Sequence, residues 1–538
     1  MIKIKILLIL TFIIANAFII NSYCQSDDKG ITADSYQNPI NRGMNPDPSI
    51  CRAGDDYYLV SSSMFFYPGV PVYHSKDLIN WNLIGYCLTT KEHFCLDKNN
   101  SSPMMYAATL RYHDGTFYMI TTEVNGGGNF FVTAKNPAGP WSAPVFIDRP
   151  MFDPSLFFDD DGKVYYTRRG SFDNKDIVQA EIDISTGKLL TELRSVGKGL
   201  VSDDIEGPHL YKVDGLYYLM AAEGGSRALH METIGRSKSP WGPFESCPNN
   251  PILSQRNAWW HPVKCAGHAD LVQSEDGRWW AVYLATRHMG YNYFSNLGRE
   301  TFLVPLTWQD GWPVVNPQNV YELTVNTKTL PLHPWETEPF MDNFNSKTLG
   351  IDYNFLAYPN RKIYSLTEHP GYLRLWGTEN GLVETKQVAF VGKRQKDINS
   401  VCDASVEFKP DNSNDEAGLT VFQESNFHYD IFISIRHGKK TVVLRKTVGD
   451  IKQETASSSI KTDKLYLKIE SDKDLYHFYY SGDNINWKLL GTGNCRLIST
   501  EVADVWSGIF YGMFAAGNGK NCKNPADFDW FEYKGLDK

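Results

Sequence analysis

Several things are scarce in this 538-residue chain. Its nine cysteines form no CxxC pair and show no Cys/His zinc spacing, which argues against a zinc module or a dithiol redox centre. Cys87 and Cys95 are the nearest pair that export would allow to bridge, and buried free thiols are the simpler expectation. Basic runs go no further than pairs such as Lys439-Lys440 and the net charge is −9, so a nucleic-acid-binding surface is not expected. No stretch carries a convincing helical periodicity. The one long apolar run, Ile6 to Ile20 behind Lys3 and Lys5, is short for a membrane span. Residues 1–24 have instead the form of a secretory signal peptide, with Ser22 and Cys24 permitting cleavage before Gln25. Export to the periplasm or beyond follows. A surface form lipidated at Cys24 is the alternative, disfavoured because Asn21 and Tyr23 make a poor lipobox.

What the chain has is aromatic residues and a repeat. Aromatics are 14% of the sequence, including 30 Tyr and 14 Trp, as suits an all-β protein or a surface that stacks on sugar rings. Five times a short phrase returns: Asp47-Pro-Ser-Ile, Ala107-Ala-Thr-Leu, Asp153-Pro-Ser-Leu, Gly207-Pro-His-Leu and His268-Ala-Asp-Leu. Each is followed by a turn, Asp-Gly in four of the five, and an aromatic strand such as Asp214-Gly-Leu-Tyr-Tyr or Asp276-Gly-Arg-Trp-Trp. The openings are 60, 46, 54 and 61 residues apart. A hairpin repeat of that period predicts a propeller with one blade per repeat, hence five.

The propeller is expected over residues 36–330. A linker follows, marked by Pro331, Pro334, Glu336, Glu338 and Pro339. Beyond it, over 340–538, alternating strands such as Tyr429-Asp-Ile-Phe-Ile-Ser-Ile repeat no phrase and predict an antiparallel β-sandwich.

The first strand of a blade lines the channel, so equivalent positions converge. Asp47, Asp153, Glu206 (one before Gly207) and His268 are therefore expected to be neighbours. One Asp-Pro alone is ordinarily a turn; carboxylates recurring in one register of one repeat are not so easily explained. Clustered carboxylates with aromatics nearby suit glycoside hydrolysis. That reaction needs a carboxylic acid for the leaving oxygen and a carboxylate for water or the anomeric carbon.

Asn45-Pro-Asp-Pro-Ser-Ile, Phe152-Asp-Pro-Ser-Leu-Phe-Phe-Asp-Asp-Asp-Gly, Ile205-Glu-Gly-Pro-His-Leu-Tyr-Lys and Gly267-His-Ala resemble glycoside hydrolase family 43. Phe66-Tyr-Pro-Gly-Val, Ala222-Glu-Gly-Gly and Leu297-Gly-Arg-Glu-Thr-Phe-Leu narrow the likeness to its β-xylosidase and α-L-arabinofuranosidase branch, which carries a concanavalin-like jelly roll. The resemblance covers the chain beyond the signal peptide. It implies exo-acting hydrolysis with inversion, releasing terminal xylose or arabinofuranose from plant cell-wall oligosaccharides. It assigns Asp47 as general base, Asp153 as the group that modulates and orients the acid, and Glu206 as general acid.

Further assignments follow from the same resemblance. Arg299 is expected to reach the sugar and the Asp153 carboxylate, keeping the latter ionised. Tyr106, Ser226, Met64, Phe66 and, more weakly, Arg287 are expected around the sugar. The segment from Trp506 to Phe514, Phe510 included, is expected to lean over the pocket. His268 is expected at the propeller centre, behind the catalytic floor, holding Ca²⁺ through water. Asp342 and Asp529 are expected to hold a structural Ca²⁺ in the sandwich. No organic cofactor is implied. The partner is an oligosaccharide, and self-association is left open. Met64 and Ala108 depart from the branch's usual aromatic and proline, which leaves the choice of pentose open. An arabinan-directed relative and a carbohydrate-binding propeller without turnover are the competing readings.

Overall fold

The computed structural model describes residues 31–94, 104–149, 151–289, 294–315, 321–336, 340–359, 363–384 and 388–537. The expected signal peptide, Cys24, Cys95, Glu338 and Pro339 lie outside them. The described residues are almost wholly β. Their helices are single turns, Lys91–Phe94, Thr500–Ala503 and the 3₁₀ turn Cys495–Ile498. None is long and apolar enough to cross a membrane.

Five antiparallel sheets of four or five strands follow one another along the chain. Their first strands are Ser49–Ala53, Thr109–His113, Ser155–Phe158, Ile205–Val213 and Val263–Gln273. Each of these neighbours the next, and the last neighbours the first, so the sheets stand as blades around one axis. The repeat thus lies where the hairpins are. Asp114-Gly115 and Asp214-Gly215 both have positive φ at the two central positions, the geometry that matches the strand twist in a two-residue turn. Apolar residues from adjacent blades, such as Val60 and Val72 against Leu110 and Met119, fill the space between sheets.

The ring is tied shut by the segment that precedes the first blade. Asn38 exchanges hydrogen bonds with the Leu303 backbone at 2.8 and 2.9 Å, and Tyr36 donates to the same carbonyl at 2.7 Å. Asn41 and Thr301 then pair through their backbones. The strand Glu300–Gln309, third of the last blade, is therefore laced to the chain's start.

Inside the ring a polar layer lies two residues beyond the conspicuous Asp and His positions. Asp270 is fully buried and accepts from Arg111 (2.8 Å), the Ser49 hydroxyl (2.5 Å) and the Tyr211 hydroxyl (2.6 Å). It thereby joins three blades to its own by charge-assisted hydrogen bonds.

The C-terminal sheets have eight and six strands and pack face to face over a large apolar core. The six-stranded sheet turns its other face to the propeller. There Phe390, Phe422, Phe510 and Phe514 meet Met44, Met64 and Phe66.

Candidate active site

Asp47 and Asp153, just before their strands, and His268, within its own, adopt the left-handed region, with φ of 51°, 58° and 51°. Non-glycine residues seldom adopt it, and such strain collects at functional sites. The fourth blade has glycine at that position, Gly207 at φ 58°, because a Cβ there would stand 3.0 Å from the His268 ring. The blade's carboxylate is consequently carried one residue earlier, by Glu206.

These residues share one cavity of about 590 Å³, also lined by Met64, Tyr106, Arg169, Ser226, Arg299 and Trp506. The side-chain donors of Asp153, Glu206 and His268 all lie within 4.8 Å of one another. Asp47 stands outside that triplet, with its Oδ1 3.8 Å from His268 Nδ1. Its Oδ2 accepts the Ser62 hydroxyl at 2.6 Å, and Arg299 Nη1 stands 3.5 Å from Oδ1.

The carboxylates have different surroundings. Burial raises the Asp153 carboxyl, and Glu206 and Asp47 add to the rise; His268 and the Gly207 N–H, which donates to it at 3.0 Å, oppose it. The outcome is a proton held up to about 7. Burial also raises Glu206, against His268, Arg169 and Arg299. Arg169 Nη1 lies 3.4 Å from Glu206 while Nη2 donates to Asp204 at 2.9 Å, with the neighbouring Phe152 and Phe172 ring centroids 5.3 and 5.5 Å from the guanidinium carbon.

Several expectations need correction. Arg299 faces Asp47, not Asp153; its second nitrogen donates to the Ser226 carbonyl at 2.9 Å. Asp153 is accordingly not held ionised. Phe66 and Phe510 are fully buried and stacked on each other at 3.7 Å, so they join the two domains and leave no face for a sugar. The segment from 506 does reach the cavity, but through Trp506, whose indole N–H donates to Ser226 Oγ at 3.1 Å. Arg287 is clamped on Glu300 at 2.6 and 2.9 Å, apart from the cavity lining. His268 lines the cavity itself instead of lying behind its floor.

In the sandwich, Asp342 and Asp529 have protein partners of their own. Asp529 is paired with Lys464 at 2.6 Å, and Asp342 receives its own loop's Phe344 N–H at 2.8 Å. Among the described residues only Asp153, Glu206 and His268 form a set of three possible ligands. One imidazole and two carboxyls with other tasks are a poor match to the six to eight oxygens of Ca²⁺.

Arg169 and Ser62 went unassigned to the site from sequence, and Trp506 was expected only as part of the segment that leans over the pocket. Two were within reach: Ser49 pairs with Val60 and Ser155 with Thr167, so extending each hairpin sets Ser62 opposite Asp47 and Arg169 opposite Asp153. Which side chain of the 506–514 segment reaches the cavity depends on how the domains dock, and it is Trp506.

Residues 36–313 match the model of glycosyl hydrolases family 43, and 341–534 that of the β-xylosidase C-terminal concanavalin A-like domain. A non-reducing end α-L-arabinofuranosidase of Bacteroides ovatus is 46% identical over 94% of this chain and 95% of its own. A xylosidase/arabinosidase of Butyrivibrio fibrisolvens is 38% identical over 92% and 98%. Among solved structures, the xyloglucan PUL GH43B protein of Bacteroides ovatus superposes with a TM-score of 0.89 at 45% identity, covering 93% of this chain and all of that one. A xylan β-1,4-xylosidase from Bacillus halodurans gives 0.86 at 32%, covering 93% and 99%.

Proposed function

The chain belongs to glycoside hydrolase family 43, and from that premise we propose that it releases single pentoses from non-reducing ends with inversion. Terminal α-L-arabinofuranose ranks before β-1,4-xylose, because the 46% identical relative bears the first activity in its name. The second stands beside it because the 38% identical relative bears both.

One observation carries the mechanism: the carboxyls around one cavity have unlike surroundings. Burial raises the Glu206 carboxyl, the direction that suits the group giving a proton to the leaving oxygen. Asp47 meets the Ser62 hydroxyl and the Arg299 guanidinium, so it acts as the carboxylate that orients water and takes its proton. Asp153 holds the Gly207 N–H and with it the backbone beside Glu206, fixing the direction in which the acid points. An acid and a base that leave space for water stand ~6.5–9.5 Å apart in inverting enzymes. Trp506 walls the cavity from the sandwich side, which favours a chain end over a chain interior.

Two measurements test this. Proton NMR of the first-formed sugar is expected to show the inverted anomer, and a retained one would remove Asp47 from the base role. Aryl α-arabinofuranoside and aryl β-xyloside assayed side by side give the pentose; no turnover of either leaves a binding propeller. Export to the periplasm or cell exterior rests on the leader-like residues 1–24. Calcium has the family likeness alone in its favour, and no step here passes through it.

A further inference from the structure

Behind one wall of the catalytic cavity lies another of about 380 Å³, within the range of small-molecule sites. Ser226, Arg299 and Trp506 line both cavities, so a single layer of side chains divides them. The far side of the second comes from residues 255–265 of the propeller, with Arg256 and Trp259, and from Glu501 on the sandwich. It is therefore built, like the first, where the two domains meet.

Its rim is unusual. Trp259 is 70% exposed and the adjoining Trp260 59%, with ring centroids 5.9 Å apart. Two neighbouring indoles left in water on one loop are the kind of apolar patch that marks a binding site. An indole offers a flat apolar face and a polar edge, which is what the two sides of a sugar ring require. A donor stands close by. Arg256 makes no ion pair among the described residues and gives one N–H only to the Met231 sulfur, at 2.9 Å, a weak acceptor. The other cations of the lining are engaged: Arg227 with Asp504, Arg299 with Asp47 and Lys264 with the Ala258 carbonyl at 2.7 Å.

We propose that this second cavity is an accessory sugar site. It takes a ring of an oligosaccharide against the Trp259 indole, with Arg256 donating to the hydroxyls. The proposal rests on the reading of the protein as a glycosidase of oligosaccharides and adds a place for sugar that is held without being cleaved. Through the shared wall, a ring bound there touches Trp506 and Arg299, which the catalytic cavity also uses.

The experiment measures binding without turnover. Asp47→Ala protein is titrated calorimetrically with xylotriose and with α-1,5-linked arabinotriose. Asp47→Ala/Trp259→Ala is then expected to lose one binding event or to bind at least one of the two about tenfold more weakly, the scale of one lost aromatic contact. Arg256→Gln, which leaves the loop's indoles in place, is expected to weaken binding about threefold in the same background. Trp259→Ala alone should keep kcat and KM on the aryl pentoside. Identical binding by Asp47→Ala and both double variants would overturn the accessory site. Failure of the parent enzyme to release pentose from either aryl glycoside would overturn the functional reading instead.

Discussion

Asp153 and Asp270 are the same residue, both buried, both on the inner strands of one ring, and their protons are held in opposite senses. Burial pushes each carboxyl upward. At Asp153 the nearest additional charges include Glu206 and Asp47, and the proton is kept up to about 7. At Asp270, Arg111 outweighs the cost of burial, helped by the Ser49 hydroxyl, and the carboxyl falls well below the ordinary range. Burial does not decide the charge of a carboxyl; its partners do. The ring thus carries two layers two residues apart, a strained one with unmatched carboxyls that can exchange protons and a saturated one that holds the blades.

The sharpest way to break this division is to remove one member of the upper layer. Asp47→Ala is expected to lower kcat by roughly 10²–10⁴ on every substrate, because water must be activated whatever departs. Glu206→Ala should lose oligosaccharides while sparing aryl glycosides with good leaving groups. Equal losses across substrates for Glu206→Ala would make it a positional group.

In the lower layer the expected effect is on stability. Arg111→Met leaves Asp270 buried beside an apolar side chain, and breaking a buried pair in this way costs ~3–5 kcal/mol. Thermal unfolding should show it, with kcat at low temperature little changed in the protein that folds. An unchanged melting temperature would mean that water or another donor takes the place of Arg111.

The two aspartates also predict opposite dependences on pH. Between the ordinary carboxyl range near 4 and about 7, folded protein keeps the Asp153 proton that unfolded chain has released. Stability therefore falls as pH rises through that window, by something on the order of a few kcal/mol. Asp270, lowered in the fold, contributes stability that is present above pH ~4 and lost as the medium becomes more acid. Asp153→Asn should flatten the fall between pH 4 and 7 and leave the acid limb alone. Denaturant unfolding at pH 5 and pH 8 checks it, and an equal difference in both proteins would contradict the protonated Asp153.

The upper layer was legible because it repeats. Five copies of one phrase brought Asp47, Asp153, Glu206 and His268 together, and the Asp-Gly turns marked the hairpins. The lower layer was written in the same phrases but drew no notice, since Ser49 and Asp270 look like ordinary strand residues. What depends on docking was legible only as a segment, residues 506–514, and not residue by residue. Phe66 and Phe510 read as sugar contacts because exposed and buried aromatics look alike in a sequence. Only the meeting of the two domains shows that these pack on each other while Trp506, four residues from Phe510, reaches the cavity. Arg299 was correctly placed near the carboxyls, but which one it faces depends on an arrangement that spacing does not encode.

Arg169 offers the finest adjustment of the comparison, since it is the upper layer's partial counterpart to Arg111. It stands 3.4 Å from Glu206, longer than the 2.8 Å of Arg111 to Asp270, and shares its charge with Asp204. It therefore lowers Glu206 without cancelling the effect of burial, and the carboxyl stays above its ordinary range. Arg169→Met should let the Glu206 carboxyl rise further. The alkaline limb of kcat on oligosaccharides, where the acid loses its proton, is expected to move to higher pH by up to about one unit. Near pH 6 the loss of rate should be small, roughly threefold, from a less firmly oriented carboxyl. Arg169→Lys restores the charge without the two-pronged geometry, so it should bring back the limb but not the whole rate. If Arg169→Met leaves the limb in place and only raises KM, Arg169 serves the sugar and not the acid.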